Sequence, residues 1–218
     1  MMLAAHPAEP TCAHNVKPGE AARVVRARHE ARRLTDQEGL AHPGSAFRVH
    51  RVKAIRGSTF DMGEACLPLP AFSELEGVSS LASAACTIGA ALEERVSDLF
   101  RSREPLLAMA LDDLGTQLLF RLSDRLYARI RREARRQGLQ AGEAQSPGDE
   151  GLSIDAQPAV LALAGIDPQV VSANSRGMLR PVKSLSFVVA LGPHLPARSL
   201  PPRCLRCASR ETCRVRPR

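Results

Sequence analysis

The chain has 218 residues, 44% hydrophobic and 24% charged, enough apolar side chain for one domain with a sizeable core. Aromatics make up 3%, with no Trp and a single Tyr, which excludes an aromatic stacking platform for single-stranded nucleic acid. The formal charge is +7, yet 27 of the 30 basic residues are Arg, a skew better ascribed to base composition than to phosphate binding, so nucleic acid is not an expected partner.

No stretch approaches the roughly 18 consecutive apolar residues of a membrane span. The start, Met1 to Pro10, lacks the basic residues and long apolar run of a secretory signal. These features predict a cytoplasmic protein without a membrane partner, in which cysteines stay reduced and act as ligands or redox groups.

Residues 1–19, with Pro7, Pro10, Pro18 and Gly19, read as a mobile leader. Glu20 to Leu34 is a predicted helix whose Arg23, Arg26, Arg28, Arg32 and Arg33 spread around the axis, as on a solvated surface element. Ala46 to Ile55 alternates, with Phe47 and Val49 against Arg48 and His50, which predicts a half-buried strand. Pro68 and Pro70 break the chain before a small-residue run, Ala82 to Ala91, that holds Cys86-Thr87-Ile88-Gly89.

The clearest helix begins at Glu104-Pro105 and runs to Gln137, where Gly138 stops it. Leu107, Leu111, Leu114, Leu118, Leu122, Leu126 and Ile130 form its apolar stripe. Gly115 marks a kink or a close helix contact, and Arg129, Arg131, Arg132, Arg135 and Arg136 suit the negative end of the helix dipole. After a polar loop come Ser146-Pro147-Gly148, a short helix from Ser153 to Ala164, and an apolar strand from Val182 to Leu191. This order predicts an α+β sheet covered by helices. The six histidines, His6, His14, His29, His42, His50 and His194, are scattered and read as surface residues.

The tail, residues 201–218, carries Cys204-Leu-Arg-Cys207 and then Cys213. A Cys-x-x-Cys pair puts two thiols on one turn, and a third can fold back to the same ion, either zinc or an iron–sulfur cluster. A tetrahedral site needs a fourth ligand. None is local: His194 precedes Pro196 and the Pro201-Pro202 pair, and Cys12, Cys66 and Cys86 are remote in sequence. Cys86 reads either as a small buried hydrophobe or as that fourth ligand.

The order Ala85-Cys-Thr-Ile-Gly89, Ala91-Leu-Glu-Glu94, Ser146-Pro-Gly148, Met178-Leu-x-Pro181, Lys183-Ser184 and the cysteine tail resembles the activation domain of cobalamin-dependent methionine synthase, in a free-standing form. The resemblance covers about Glu20 to Arg216, with residues 20–200 as the domain. It implies an α+β fold with a largely antiparallel central sheet and one long helix. It also implies an accessory role in reductive reactivation: an electron and a methyl group from S-adenosylmethionine restore methylcobalamin on a corrinoid-carrying methyltransferase, with a flavodoxin- or ferredoxin-type donor. It implies a methyltransferase-associated activation component of methionine synthase type, whose chemistry needs no catalytic triad.

The implied cofactor-binding residues are Ser146, Pro147, Gly148, Met178, Pro181, Lys183 and Ser184, and the implied metal ligands of the alternative reading, a small metal or iron–sulfur protein, are Cys204, Cys207 and Cys213. The family pattern has Arg two residues before the serine, Tyr after the glycine and Glu on the long helix. This chain has Ala144, Asp149 and Phe120 there. Ala144 cannot form the bidentate fork to a carboxylate, and Asp149 could face only the ligand's positive groups.

Overall fold

In the computed structural model the described residues are 18–73, 75–149 and 151–195. Four strands, β1 (Gly44–Arg51), β5 (Ser80–Thr87), β6 (Gln140–Gln145) and β9 (Ser184–Gly192), form an antiparallel sheet in the order β1-β5-β9-β6. One face carries the helices α1 (Pro18–Gln37), α3 (Ala91–Arg101) and α4 (Pro105–Arg136). The other carries α5 (Gln157–Ala164) and a small sheet of β2 (Ala54–Arg56), β3 (Thr59–Asp61) and β4 (Cys66–Pro68). A short helix α2 (Pro70–Ser73) follows β4, and a two-stranded hairpin, β7 (Ser172–Ala173) and β8 (Leu179–Arg180), precedes β9. No helix among the described residues is long and apolar enough to cross a membrane.

The small-residue run is the middle of this design. β5 is buried at every position. Its even residues Ala82, Ala84 and Cys86 face the helix layer, and cross-strand pairing sets Ala84 between Phe47 and Phe187, and Ala82 between Val49 and Val189. Small side chains in the centre leave a trough flanked by large ones. Into it α4 lays Ala108, Leu111, Gly115, Leu119, Ser123, Leu126, Ile130 and Ala134, all buried. Each fully buried leucine in such a core contributes about 1.5–3 kcal/mol.

The buried stripe of α4 is rotated from the sequence expectation: Gly115, Leu119 and Ser123 lie at its centre, while Leu107, Leu114, Leu118 and Leu122 are partly buried at its margin. Sequence periodicity finds the apolar side of a helix but weights Gly and Ser as polar, and here those small residues mark the closest approach. A Cβ on Gly115 would come within 2.7 Å of Leu92 Cδ2 on α3, so the glycine serves a close helix contact.

Other elements differ in instructive ways. The predicted strand Ala46–Ile55 is two strands, because Val52 N–H donates to Ser79 O at 3.0 Å and Lys53 N–H to Asp61 O at 2.8 Å, turning the chain from one sheet to the other. The polar loop after α4 contains the edge strand β6, whose sequence QAGEAQ shows no alternation and whose register shifts between Ala141 and Ala144. The predicted helix Ser153–Ala164 begins as a 3₁₀ turn over Ile154–Ala156. β9 starts at Ser184, leaving Val182 outside and 67% exposed. His50 is buried, with Nε2 2.8 Å from Leu163 O at the end of α5, against the expectation of a surface residue.

Tyr127 on α4 donates its hydroxyl to Gly142 O on β6 and so ties the long helix to the edge strand. Burial pushes its phenol above the ordinary 10.0, with Arg131 pulling it down and Glu143 raising it. A raised folded value means the neutral phenol stabilises the fold fully below pH 10.0 and that contribution is lost as pH rises through the folded value. Tyr127 is the sole tyrosine and there is no Trp, so ultraviolet difference absorbance should show one phenol ionising later than free tyrosine. Tyr127→Phe should abolish the signal and flatten the stability decline at high pH. Gly115→Val should cost about 1–3 kcal/mol by overpacking, measured by denaturant unfolding.

Candidate functional site

At the end of the sheet where β5 finishes and β9 begins, distant motifs are bonded together. Thr87 Oγ1 lies 2.8 Å from Ser184 Oγ and 3.2 Å from Lys183 O, and it accepts Gly89 N–H at 3.0 Å. Ser184 Oγ is also 2.7 Å from Pro181 O, and Ile88 N–H donates to Lys183 O at 3.1 Å. The segments Ala85–Gly89 and Met178–Ser184, nearly a hundred residues apart in sequence, are therefore one hydrogen-bonded unit.

Two further anchors hold the loop before β9. Glu93, in the first turn of α3, accepts Val182 N–H on Oε2 at 2.7 Å. Lys183 reaches α4, with Nζ 2.8 Å from Asp112 Oδ1 and 2.9 Å from Thr116 Oγ1. Its side chain is 13% exposed, so it braces the loop from the helix side rather than standing in solvent.

Beside this unit opens a cleft of about 710 Å³, within the range of small-molecule sites. Met178, Pro181 and Ser184 line it, as do Glu93, Gln157, Asn174, Gly177 and Arg180. Gln157 is buried and donates to Ser186 Oγ on β9, which fixes its amide at the cleft floor. Exposed apolar side chains, Met178 and Val182, stand at the rim with Ile154. Glu93 brings a carboxylate and Arg180 a guanidinium, so the cleft offers both signs of charge to a zwitterionic ligand.

The hairpin that forms one wall is shaped by Asn174 and Gly177. Asn174 Oδ1 accepts the N–H groups of Arg176 at 2.9 Å and Met178 at 3.0 Å, while Gly177 sits at φ +75°. A Cβ on Gly177 would meet Ile154 O at 2.9 Å, so backbone packs directly on backbone.

The turn Ser146-Pro147-Gly148 stands in a neighbouring cleft of about 690 Å³, lined by Gly148 and Asp149 with Pro68, Pro70, Leu152, Ser153 and Ile154. Asp149 N–H donates to Ser146 O at 2.9 Å, Pro147 occupies the second position and Gly148 the third at φ +98°, which is a type II turn. Asp149 Oδ2 accepts Ser146 N–H at 2.8 Å. The aspartate thus closes the turn on itself, a local bond that accounts for its place after the glycine. Ile154 lines both clefts and is the wall between them.

Ala144 lies on β6 opposite Val189, and Phe120 is half-buried on α4. Cys86 is fully buried within the helix-side core, which supports the packing reading over that of a metal ligand. Cys204, Cys207 and Cys213 lie outside the described residues, and among those described no group of three His, Cys, Asp or Glu is placed to hold a metal. Sequence reasoning gave no individual role to Glu93, Gln157, Asn174 or Gly177, and it took Arg180 only as part of the Met178–Ser184 segment. Asn174-Ser-Arg-Gly177 carried a turn signal, and Glu93 stood inside a quoted motif, but Gln157 has no signature apart from its neighbours in the fold.

No protein-family model matches the chain, and no curated protein matches it. Among solved structures it is similar to the crystal structure of the MetH reactivation domain bound to AdoHcy, with a TM-score of 0.60 and 13% sequence identity over 83% of this chain and 68% of that one. The likeness bears out the expected α+β fold with its long helix, of methionine synthase activation-domain type.

Lys183→Met removes a charge-assisted pair whose acid, Asp112, is half exposed, so the loss should be about 1 kcal/mol. Thermal unfolding should fall by about 2–4 °C. Limited proteolysis should then cut first between Met178 and Ser184.

Proposed function

We propose that this chain is a reactivation module: it holds an S-adenosylmethionine-type ligand and presents it to the corrinoid cobalt of a methionine-synthase-like methyltransferase. The observation that carries the reading is the juxtaposition of the turn cleft and the charged cleft around Ile154, in a fold like that of a reactivation domain bound to AdoHcy. The family's order of motifs supports it from the sequence side.

The residues present suit such a ligand. Arg180 lines the cleft and supplies the guanidinium that Ala144 does not, suited to the ligand's carboxylate in a fork. Glu93 keeps one carboxylate oxygen on Val182 N–H and has the other to set against the ammonium or sulfonium charge. The apolar rim of Met178, Ile154 and Val182 suits the adenine face or the corrinoid edge. The ligand supplies a methyl group on sulfonium sulfur. When the partner's cobalt has been reduced by one electron from the inactive state, that methyl passes from sulfur to cobalt and S-adenosylhomocysteine leaves.

This chain's part is positional. Glu93, Lys183 and the Thr87–Ser184 contacts hold the loop before β9 in one geometry, so methyl and metal meet without a search over orientations. No side chain needs to act as nucleophile or to move a proton. The electron donor is a separate protein of flavodoxin or ferredoxin type in this reading.

Calorimetry should detect S-adenosylmethionine and S-adenosylhomocysteine binding to the purified chain. Glu93→Gln keeps an acceptor for Val182 N–H but removes the charge, so affinity for S-adenosylmethionine should drop about 5–10-fold, worth about 1 kcal/mol, with a smaller change for the uncharged thioether. Arg180→Ala should weaken both ligands. No heat at millimolar ligand, together with no rescue of an oxidised corrinoid methyltransferase given a reductant, would sink the reading.

A further inference from the structure

One polar group at the floor of the charged cleft is bonded at one end only. Gln157 is 3% exposed, and its amide nitrogen is turned to Ser186 Oγ on β9. Among the described residues, the side-chain atoms sealed from solvent without a partner are Ser83 Oγ and Gln145 Oε1. Gln157 Oε1 is not one of them, although no described residue donates to it, so the open side of this carbonyl is the cleft that Gln157 lines. A nearly buried carbonyl requires a hydrogen-bond donor from whatever displaces water there, because leaving it unpaired is costly.

The place of Gln157 along the cleft decides which part of a ligand must supply that donor. Glu93 meets the loop at Val182, and Ser184 lines the cleft two residues later. Side chains alternate along a strand, so Ser186 lies on the same face as Ser184, about 7 Å further from Val182. Gln157 stands over Ser186 at that point. On its own segment it directly follows the 3₁₀ turn Ile154–Ala156. Side chains three residues apart eclipse one another in such a turn, so Ile154 and Gln157 stand side by side. Ile154 is apolar and is packed against Gly177 of the hairpin. This part of the cleft therefore offers an apolar flank next to a single acceptor, which suits a flat ring with a donor on its edge.

We infer, resting on the proposal that the cleft holds an S-adenosyl ligand, that Gln157 reads the base. Its Oε1 accepts the exocyclic 6-amino group of a purine whose face lies against Ile154, and the amino-acid end of the ligand lies toward Glu93 and Arg180. Ser186 steadies the amide by taking its other end. The class selected is a 6-aminopurine nucleoside. A purine with no donor at that position leaves the carbonyl unpaired, and an unpaired buried group is how a polar site rejects an analogue.

The test is a cycle of ligand and protein changes. S-adenosylhomocysteine and its analogue with hydrogen in place of the 6-amino group are titrated by calorimetry against the full chain and its variants. The parent should bind the analogue about 10-fold more weakly. Gln157→Met, which has similar length and no acceptor, should bind the two ligands about equally, whereas Gln157→Glu, which keeps an acceptor, should retain the preference. Glu93→Gln, acting on the other end of the ligand, should leave the ratio of the two affinities as in the parent. Circular dichroism checks that each variant is folded; should Gln157→Met not fold, the parent's ratio and its decrease in Ser186→Ala decide the matter. A parent that binds both ligands equally, or a preference that survives in Gln157→Met, overturns the role of Gln157 and leaves the ligand reading in place. A parent that binds neither overturns both.

Discussion

A strand of small residues buried on both faces is the constraint on which the rest of this molecule depends. β5 runs between β1 and β9 with Ala82, Ala84 and Cys86 toward the helices and Leu81 and Ala85 toward α5 and the small sheet. Because its own side chains take little room, the long helix α4 can lie close, and the bulk needed to fill the layer comes from Phe47 and Phe187 on the flanking strands. Larger residues on β5 would lift α4 from the sheet, and interiors packed at crystal density do not absorb such a shift locally. The same strand ends at Thr87, Ile88 and Gly89, whose bonds to Lys183 and Ser184 set the cleft. Core packing and site geometry are therefore one problem.

The site divides into a fixed part and a lighter one. The loop before β9 is held from three directions, by Glu93 on α3, by Asp112 and Thr116 on α4, and by Thr87 on β5. The hairpin opposite it is a pair of two-residue strands closed by the Asn174 contacts. Binding chemistry that relies on position needs the first kind of wall near the reacting atoms, and admission of a ligand is easier past the second.

Much of the fold was legible in the residues, for reasons that also explain the failures. The 32-residue helix α4 announced itself because proline, glycine and a long apolar repeat agree over many turns. β9 did so because buried central strands are continuous apolar runs. β6 did not, since an edge strand of Gln, Ala, Gly and Glu carries no alternation, and its pairing comes from β9 rather than from its own composition. β5 was visible only as a run of small residues, since alanine is a poor strand former except where neighbours require thinness. At the site, the Ser-Pro-Gly turn was readable because turn geometry is a local property. Glu93, Gln157 and Arg180 were not, because their meeting depends on how α3, α5 and β8 are stacked, and Lys183 was seen without the carboxylate on α4 that defines its role.

Ile154 separates the cleft at the Ser146–Gly148 turn from the cleft beneath the hairpin, and its backbone is in close approach to Gly177. A partition made of one side chain gives the two clefts a common boundary, so its size sets the volume of both. A change at Ile154 therefore bears on both clefts at once, through one side chain set between Gly148 and Gly177.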